Sequence, residues 1–182
     1  MSSWYLVQLS RKMIKKLFLL SLICGATVYA DQLSGTALPN LSIKLMDGGQ
    51  TSLDELLKEG PVLIDFWATW CAPCKKAMVF LDKYHQKYED KGFKVVCIST
   101  DSPNSMSRVK SYIRSKKYKF IVGLDPNKQV AQKMNALLLP TSLIINQQRE
   151  VVWIHQGYLP GDEIEIEEQI RHALNLDAEI SE

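Results

Sequence analysis

The run Val62-Leu63-Ile64-Asp65-Phe66-Trp67-Ala68 constrains the fold of this chain more than any other segment. It is too short and too apolar for a surface helix, and it reads as a strand covered on both faces. Trp70-Cys71-Ala72-Pro73-Cys74 follows at once. A helical pattern from about Pro73 to Asp90 then sets Ala77, Leu81, Tyr84 and Tyr88 on one face, and Gly92 closes it. A buried strand that passes into a helix through two cysteines needs a sheet with helices packed against it.

The rest of the chain supplies such a sheet. Residues 43–46 and 50–51 read as a hairpin around Asp47-Gly48-Gly49, and Thr51 or Ser52 caps a helix that runs to about Lys58. Phe93 to Ser99 is a second buried strand. Asn104 to Lys117 is a basic helix with Met106, Val109 and Ile113 inward, and Phe120 to Val122 is a short strand. Asp125-Pro126 is expected to begin a helix through Met134. Ser142 to Ile145 and Val151 to His155 are strands joined by a polar turn at Asn146 to Arg149. The last helix, Asp162 to about Leu174, is expected to bury Ile166, Ile170 and Leu174. Alternating strands and helices predict an α/β fold with an open sheet, and the final strand pair adds antiparallel character.

At 182 residues the chain suits one domain. Its 22 basic and 20 acidic residues give a net charge of +2, but Arg11, Lys12, Lys15 and Lys16 all lie in the first 30 residues, where there is no acid. The remainder carries 18 basic and 20 acidic residues, a balance of −2, which offers no electrostatic ground for a nucleic-acid partner. After the basic cluster comes Leu17 to Ala30, uncharged and shorter than a spanning helix requires. Basic residues, a short apolar run and small residues before Asp31 describe a secretory signal peptide at residues 1–30, cleaved after Ala30 or retained as a membrane anchor through residues 17–30. Residues 31–182 form the exported domain, and translation from Met13 would shorten the leader without changing this. Ile23 stands before Cys24 where a lipoprotein signal has a small residue, so lipidation is not expected.

Chemistry concentrates in the two cysteines. At a strand-to-helix junction Cys71 lies at the helix N-terminus and Cys74 one turn further on, within disulfide range. Free N–H groups and the helix dipole stabilise a thiolate on Cys71 and lower its pKa below the free value of about 8.5. Pro73 sits in the first turn, where its missing N–H costs nothing. The expectation is an exposed nucleophile, Cys71, and a more buried resolving thiol, Cys74. A zinc site needs two further ligands, and Cys97, His85, His155 and His172 are scattered without ligand spacing, so no metal is expected. An inert structural disulfide is the other reading, but so short a loop constrains the unfolded chain little. Cys97 reads as a small core residue, and the three histidines as surface residues. Trp67 and Trp70 are expected to pack around the cysteine pair, with Trp70 also able to contact substrate. Asp65 interrupts the buried strand, so its carboxyl group must carry a raised pKa or meet a polar partner, unless it reaches solvent at a strand edge.

The segment Asp65-Phe66-Trp67-Ala68-Thr69-Trp70-Cys71-Ala72-Pro73-Cys74-Lys75 resembles the active-site segment of thioredoxins. Together with the leader, the insertion around residues 101–120, Leu124-Asp125-Pro126-Asn127 and Leu139-Pro140-Thr141-Ser142-Leu143-Ile144-Ile145, it is similar to the exported TlpA/ResA-like thiol–disulfide oxidoreductases over about residues 35–175. The resemblance implies a thioredoxin fold: a central mixed β-sheet flanked by helices, with a short N-terminal hairpin and an inserted helix. It also implies that Asp65 accepts a proton from Cys74, and that Pro140 is a cis-proline facing the cysteines. Trp70, Leu139, Pro140 and Thr141 would then contact the substrate, with Leu139 offering its backbone to an incoming strand.

The resemblance and the leader together imply a periplasmic or otherwise exported enzyme of cell redox homeostasis that reduces protein disulfides through a redox-active Cys71–Cys74 pair. Such an enzyme needs no cofactor, acts as a monomer, and is re-reduced by a membrane thiol–disulfide electron donor; cytochrome c biogenesis is one setting the resemblance implies. Two residues or runs depart from the family pattern. Ala77 occupies a position where some exported relatives carry a Glu, and Leu137-Leu138-Leu139 precede Pro140 where relatives often have a Gly. A Cu(I)-handling protein and a thiol peroxidase are alternative functions for the same cysteine pair.

Overall fold

The computed structural model describes residues 37–176, so the expected signal peptide and the last six residues lie outside the described residues. Strands β1 (Ser42–Leu45) and β2 (Gln50–Ser52) form the expected hairpin, and Asp47 Oδ1 accepts the Gly49 N–H at 2.8 Å in its turn. Ser52 caps the short helix α1 (Leu53–Leu56), its hydroxyl accepting the Glu55 N–H at 3.2 Å. Strand β3 (Val62–Trp67) is buried at every position. Helix α2 (Ala72–Tyr88) follows and ends through a 3₁₀ turn at Glu89–Lys91. Next come β4 (Lys94–Ser99), α3 (Met106–Lys116), β5 (Ile121–Leu124), α4 (Gln129–Lys133), β6 (Thr141–Ile145), β7 (Val151–Gln156) and α5 (Asp162–Ala173).

The strands make one mixed sheet in the order β2-β1-β5-β4-β3-β6-β7. Strands β3, β4 and β5 run parallel, while β1, β6 and β7 provide the antiparallel pairings. This is the expected α/β thioredoxin architecture. Alternation along β3 separates two cores. Leu63 and Trp67 join Val95 and Cys97 of β4 beneath α2, α3 and α5, where Met78, Leu81, Val109, Ile113, Ile166 and Ile170 are buried. Val62, Ile64 and Phe66 join Val96 and Ile98 on the opposite face, covered by α1 and α4 through Leu53, Leu56, Val130 and Met134.

Four expectations are corrected. Strand β5 runs on to Leu124, because β1 pairs along its far side, Lys44 opposite Leu124 and Leu45 opposite Gly123. Helix α4 begins at Gln129 rather than at Asp125-Pro126. There the Asp125 carboxylate accepts the N–H groups of Gln129 and Ala131, each at 2.8 Å, so Asp125 caps the helix from outside it. His85 is buried, not a surface residue: its Nδ1 accepts the Val95 N–H at 3.3 Å, and burial holds its pKa below the usual value. Leu174 is only partly covered, at the C-cap of α5.

Candidate active site

Strand β3 delivers the chain to Cys71, which is the N-cap of α2 with an extended backbone, φ −82° and ψ 101°. Its sulfur accepts the Cys74 N–H at 3.3 Å, so one of the free donors at the helix start points at Cys71 Sγ. Pro73 lies in the first turn, as the sequence predicts. Cys71 and Cys74 form a disulfide, with Cα atoms 5.4 Å apart. Cys71 is less open than expected: it is 4% exposed against 0% for Cys74, so the order of the two holds but a small aperture replaces an exposed side chain. Cys97 is a free, buried cysteine on β4, and burial pushes its pKa well up. Among the described residues, no cluster of three or more His, Cys, Asp or Glu side chains is arranged to hold a metal ion.

Asp65 is fully buried on the β3 face that also carries Leu63 and Trp67, the face covered by α2. Strand pairing sets Ser142 of β6 on one side of it and Cys97 of β4 on the other. The Ser142 hydroxyl donates to Oδ1 at 2.8 Å, while Oδ2 meets no hydrogen-bond partner among the described residues. Burial raises the Asp65 pKa from 3.8 to about 7, and the Ser142 bond opposes only part of that rise. The strand-edge alternative is thereby excluded. The Trp67 indole N–H on the same face is also buried, without a partner among the described residues, and its ring lies 5.5 Å from that of Tyr112 on α3.

The two tryptophans of the motif differ sharply. Trp67 is packed as expected, whereas Trp70 is 70% exposed and is a rim residue instead of a packing residue. Trp70 lines a groove of about 380 Å³ with Thr100, Lys128, Leu137, Leu138 and Leu139. The Leu139-Pro140 bond is cis. Because β6 runs antiparallel to β3, with Thr141 opposite Phe66, this loop lies at the end of β3 that leads into Cys71. Pro140 and Thr141 are buried: the Pro140 carbonyl accepts the Gly157 N–H at 2.8 Å, and the Thr141 hydroxyl donates to the Leu138 carbonyl at 2.7 Å. Of the four expected substrate contacts, Trp70 and Leu139 line the groove, while Pro140 and Thr141 are buried and do not line it. Among the described residues, the Leu139 N–H and C=O meet no hydrogen-bond partner.

One residue of the site, Asp101, is not singled out by the sequence pattern. It is 2% exposed, follows β4 and accepts hydrogen bonds from Thr69, two residues before Cys71. Its only mark in the chain is an acid directly behind the buried run ending in Ser99-Thr100. That mark gains meaning only because β4 lies parallel and adjacent to β3, which brings the carboxyl ends of the two strands together.

The Redoxin family profile matches residues 33–170, about three-quarters of the chain. The chain belongs to the Redoxin family. Within it, the chain is similar to the thiol-disulfide oxidoreductase ResA of Bacillus subtilis (strain 168), 30% identical over 156 residues, which cover 81% of this chain and 86% of that protein. Its fold matches that of a Chlorobium tepidum protein assigned as a thiol:disulfide interchange protein DsbE. The TM-score is 0.71 at 28% identity, over 78% of this chain and 97% of that one. StoA of Bacillus subtilis shares the fold, with a TM-score of 0.58 at 21% identity over 70% of this chain and 95% of that one. This Redoxin protein is therefore a ResA-like thiol–disulfide oxidoreductase of the thioredoxin superfamily, and Cys71-Ala72-Pro73-Cys74 is its CxxC pair.

Proposed function

We propose that this Redoxin protein is exported and reduces protein disulfides, with Cys71 as nucleophile, Cys74 as resolving thiol and Asp65 as proton acceptor. The observation that carries the reading is the cysteine pair at the start of α2, with Cys71 the more accessible member and next in the chain to Trp70, which lines a groove with Leu139. In the reduced protein the Cys71 thiolate attacks one sulfur of a substrate disulfide. The S–S bond breaks, a mixed disulfide forms, and the departing substrate sulfur takes up a proton. Cys74 then loses its proton and attacks Cys71 Sγ, which closes the Cys71–Cys74 disulfide and releases the second substrate thiol. Two electrons have moved from the protein to the substrate.

Asp65 suits the second step, because an acid with a pKa near 7 is poised to accept a proton at neutral pH. The unpaired Leu139 backbone would hold an extended substrate segment across the groove, and Trp70 would cover its side chains. A membrane-embedded dithiol protein is the proposed electron donor, consistent with the apolar leader at residues 17–30. Among the described residues, no helix is long and apolar enough to cross a membrane.

The test is insulin reduction by the protein lacking residues 1–30, together with trapping of mixed-disulfide partners by Cys74→Ala in the cell envelope. Catalysed reduction that Cys71→Ser abolishes, with envelope proteins trapped on Cys71, supports the reading. Stoichiometric copper binding without insulin reduction, or rapid peroxide consumption with insulin untouched, overturns it.

A further inference from the structure

We infer that Asp101 is a positioning residue for Cys71, acting through Thr69; the inference rests on the redox reading of the cysteine pair. Only Thr69 and Trp70 separate Ala68 from Cys71. Asp101 Oδ2 accepts the Thr69 N–H at 2.7 Å, and Oδ1 accepts the Thr69 hydroxyl at 2.6 Å. The carboxylate is itself fixed by Ser99, whose hydroxyl donates to Oδ2 at 3.0 Å and accepts the Asp101 N–H at 3.2 Å. One residue earlier, the Thr100 N–H donates to the Trp67 carbonyl at 2.9 Å. The end of β4 thus grips the chain at Trp67 and again at Thr69, and the Cys71 N–H closes the turn onto the Ala68 carbonyl at 3.0 Å.

The consequence for chemistry lies in direction. Cys71 gains thiolate stabilisation only where its sulfur faces the free N–H groups of α2, as it does toward the Cys74 N–H. A hydrogen bond to the Thr69 N–H alone would tether the loop. The second bond, to the Thr69 hydroxyl, fixes that residue's orientation as well, and with it the angle at which the chain enters the helix. All three hydrogen bonds that the Asp101 carboxyl group accepts come from Thr69 and Ser99, the arrangement of a residue that holds the chain.

The test compares Asp101→Leu, which removes the acceptors while keeping the branched shape, with Asp101→Asn. The Asn oxygen can accept the Thr69 N–H while its amide donates to the Thr69 hydroxyl, so the grip is kept without the charge. Two readouts are taken on reduced protein well below its melting temperature: the rate of Cys71 alkylation at pH 7, and the equilibrium constant of the cysteine pair against glutathione. Asp101→Leu is expected to slow Cys71 alkylation about tenfold and to shift the glutathione equilibrium, while Asp101→Asn stays within about threefold of the parent. Should Asp101→Leu fail to fold, Thr69→Val replaces it and Thr69→Ser is the rescuing variant. A lowered melting temperature with both Cys71 readouts at parental values makes Asp101 a structural residue and overturns the inference. So does an Asp101→Asn defect as large as that of Asp101→Leu. Failure of the redox reading is seen separately, as a parent protein that does not reduce insulin.

Discussion

A carboxyl group with one bonded and one unbonded oxygen, sealed beneath α2, makes Asp65 the residue with the clearest pH signature. Its pKa is about 7 when folded and near 3.8 when unfolded, so the folded state holds the proton over that interval. The associated stability is complete below pH 4 and is lost as pH rises through 7, a change on the order of a few kcal/mol. Asp65→Asn has no proton to lose there. Chemical denaturation of both proteins from pH 4 to pH 8 should therefore show the parent losing stability relative to the variant, and parallel profiles would refute the buried-acid account. The same variant should slow closure of the Cys71–Cys74 disulfide in single-turnover reduction of a disulfide peptide, with the defect shrinking at alkaline pH, where Cys74 ionises unaided. Resolution at the parental rate throughout would remove Asp65 from the mechanism. Cys71 should also be alkylated before Cys74 at mildly acidic pH, and mass mapping that finds equal labelling would contradict the assignment.

Two elements owe their boundaries to single residues. Gly92, at φ 83°, closes the 3₁₀ turn after α2, and a side chain there would strike the backbone carbonyl of Glu59. Gly92→Ala combines a disfavoured conformation with a backbone clash, so urea unfolding should register a loss of at least about 2 kcal/mol. At α4, Asp125→Ala removes the acceptor of two helix N–H groups, and unfolding should cost about 1–3 kcal/mol. A loss below about 0.5 kcal/mol would mean that solvent replaces the cap. Both residues are visible in the sequence as boundary residues, but the pattern puts Asp125 on the wrong side of its boundary. An Asp-Pro pair suits the first turn of a helix and the loop before it equally well, and only the side chain's reach to Gln129 and Ala131 separates them.

At the scale of the molecule, α5 shares one buried core with the helix that carries the site. Ile166 and Ile170 belong to the same buried core as Cys74, and Tyr84 of α2 donates to the Glu163 carbonyl at 2.8 Å. Ile170→Ala should lower stability by about 2–5 kcal/mol, measured by thermal or urea unfolding, while insulin reduction persists below the transition. The chain itself determined the strand run 62–68, the helix behind it, the two cysteines at their junction and the alternation of strands and helices. These are local matters of hydrophobic period, caps and turn residues, and they persist whatever packs around them. Tertiary structure decided what depends on separate segments meeting: β1 extending β5 to Leu124, His85 buried against Val95, and Trp70 turned out to the rim. Asp65 belongs to both, since its burial followed from its strand but its Ser142 partner came from 77 positions away. Asp101 belongs wholly to the fold: its acceptors reach Thr69 only because parallel pairing aligns the ends of two strands whose contacting residues lie 32 positions apart, a relation that no local pattern of side chains records.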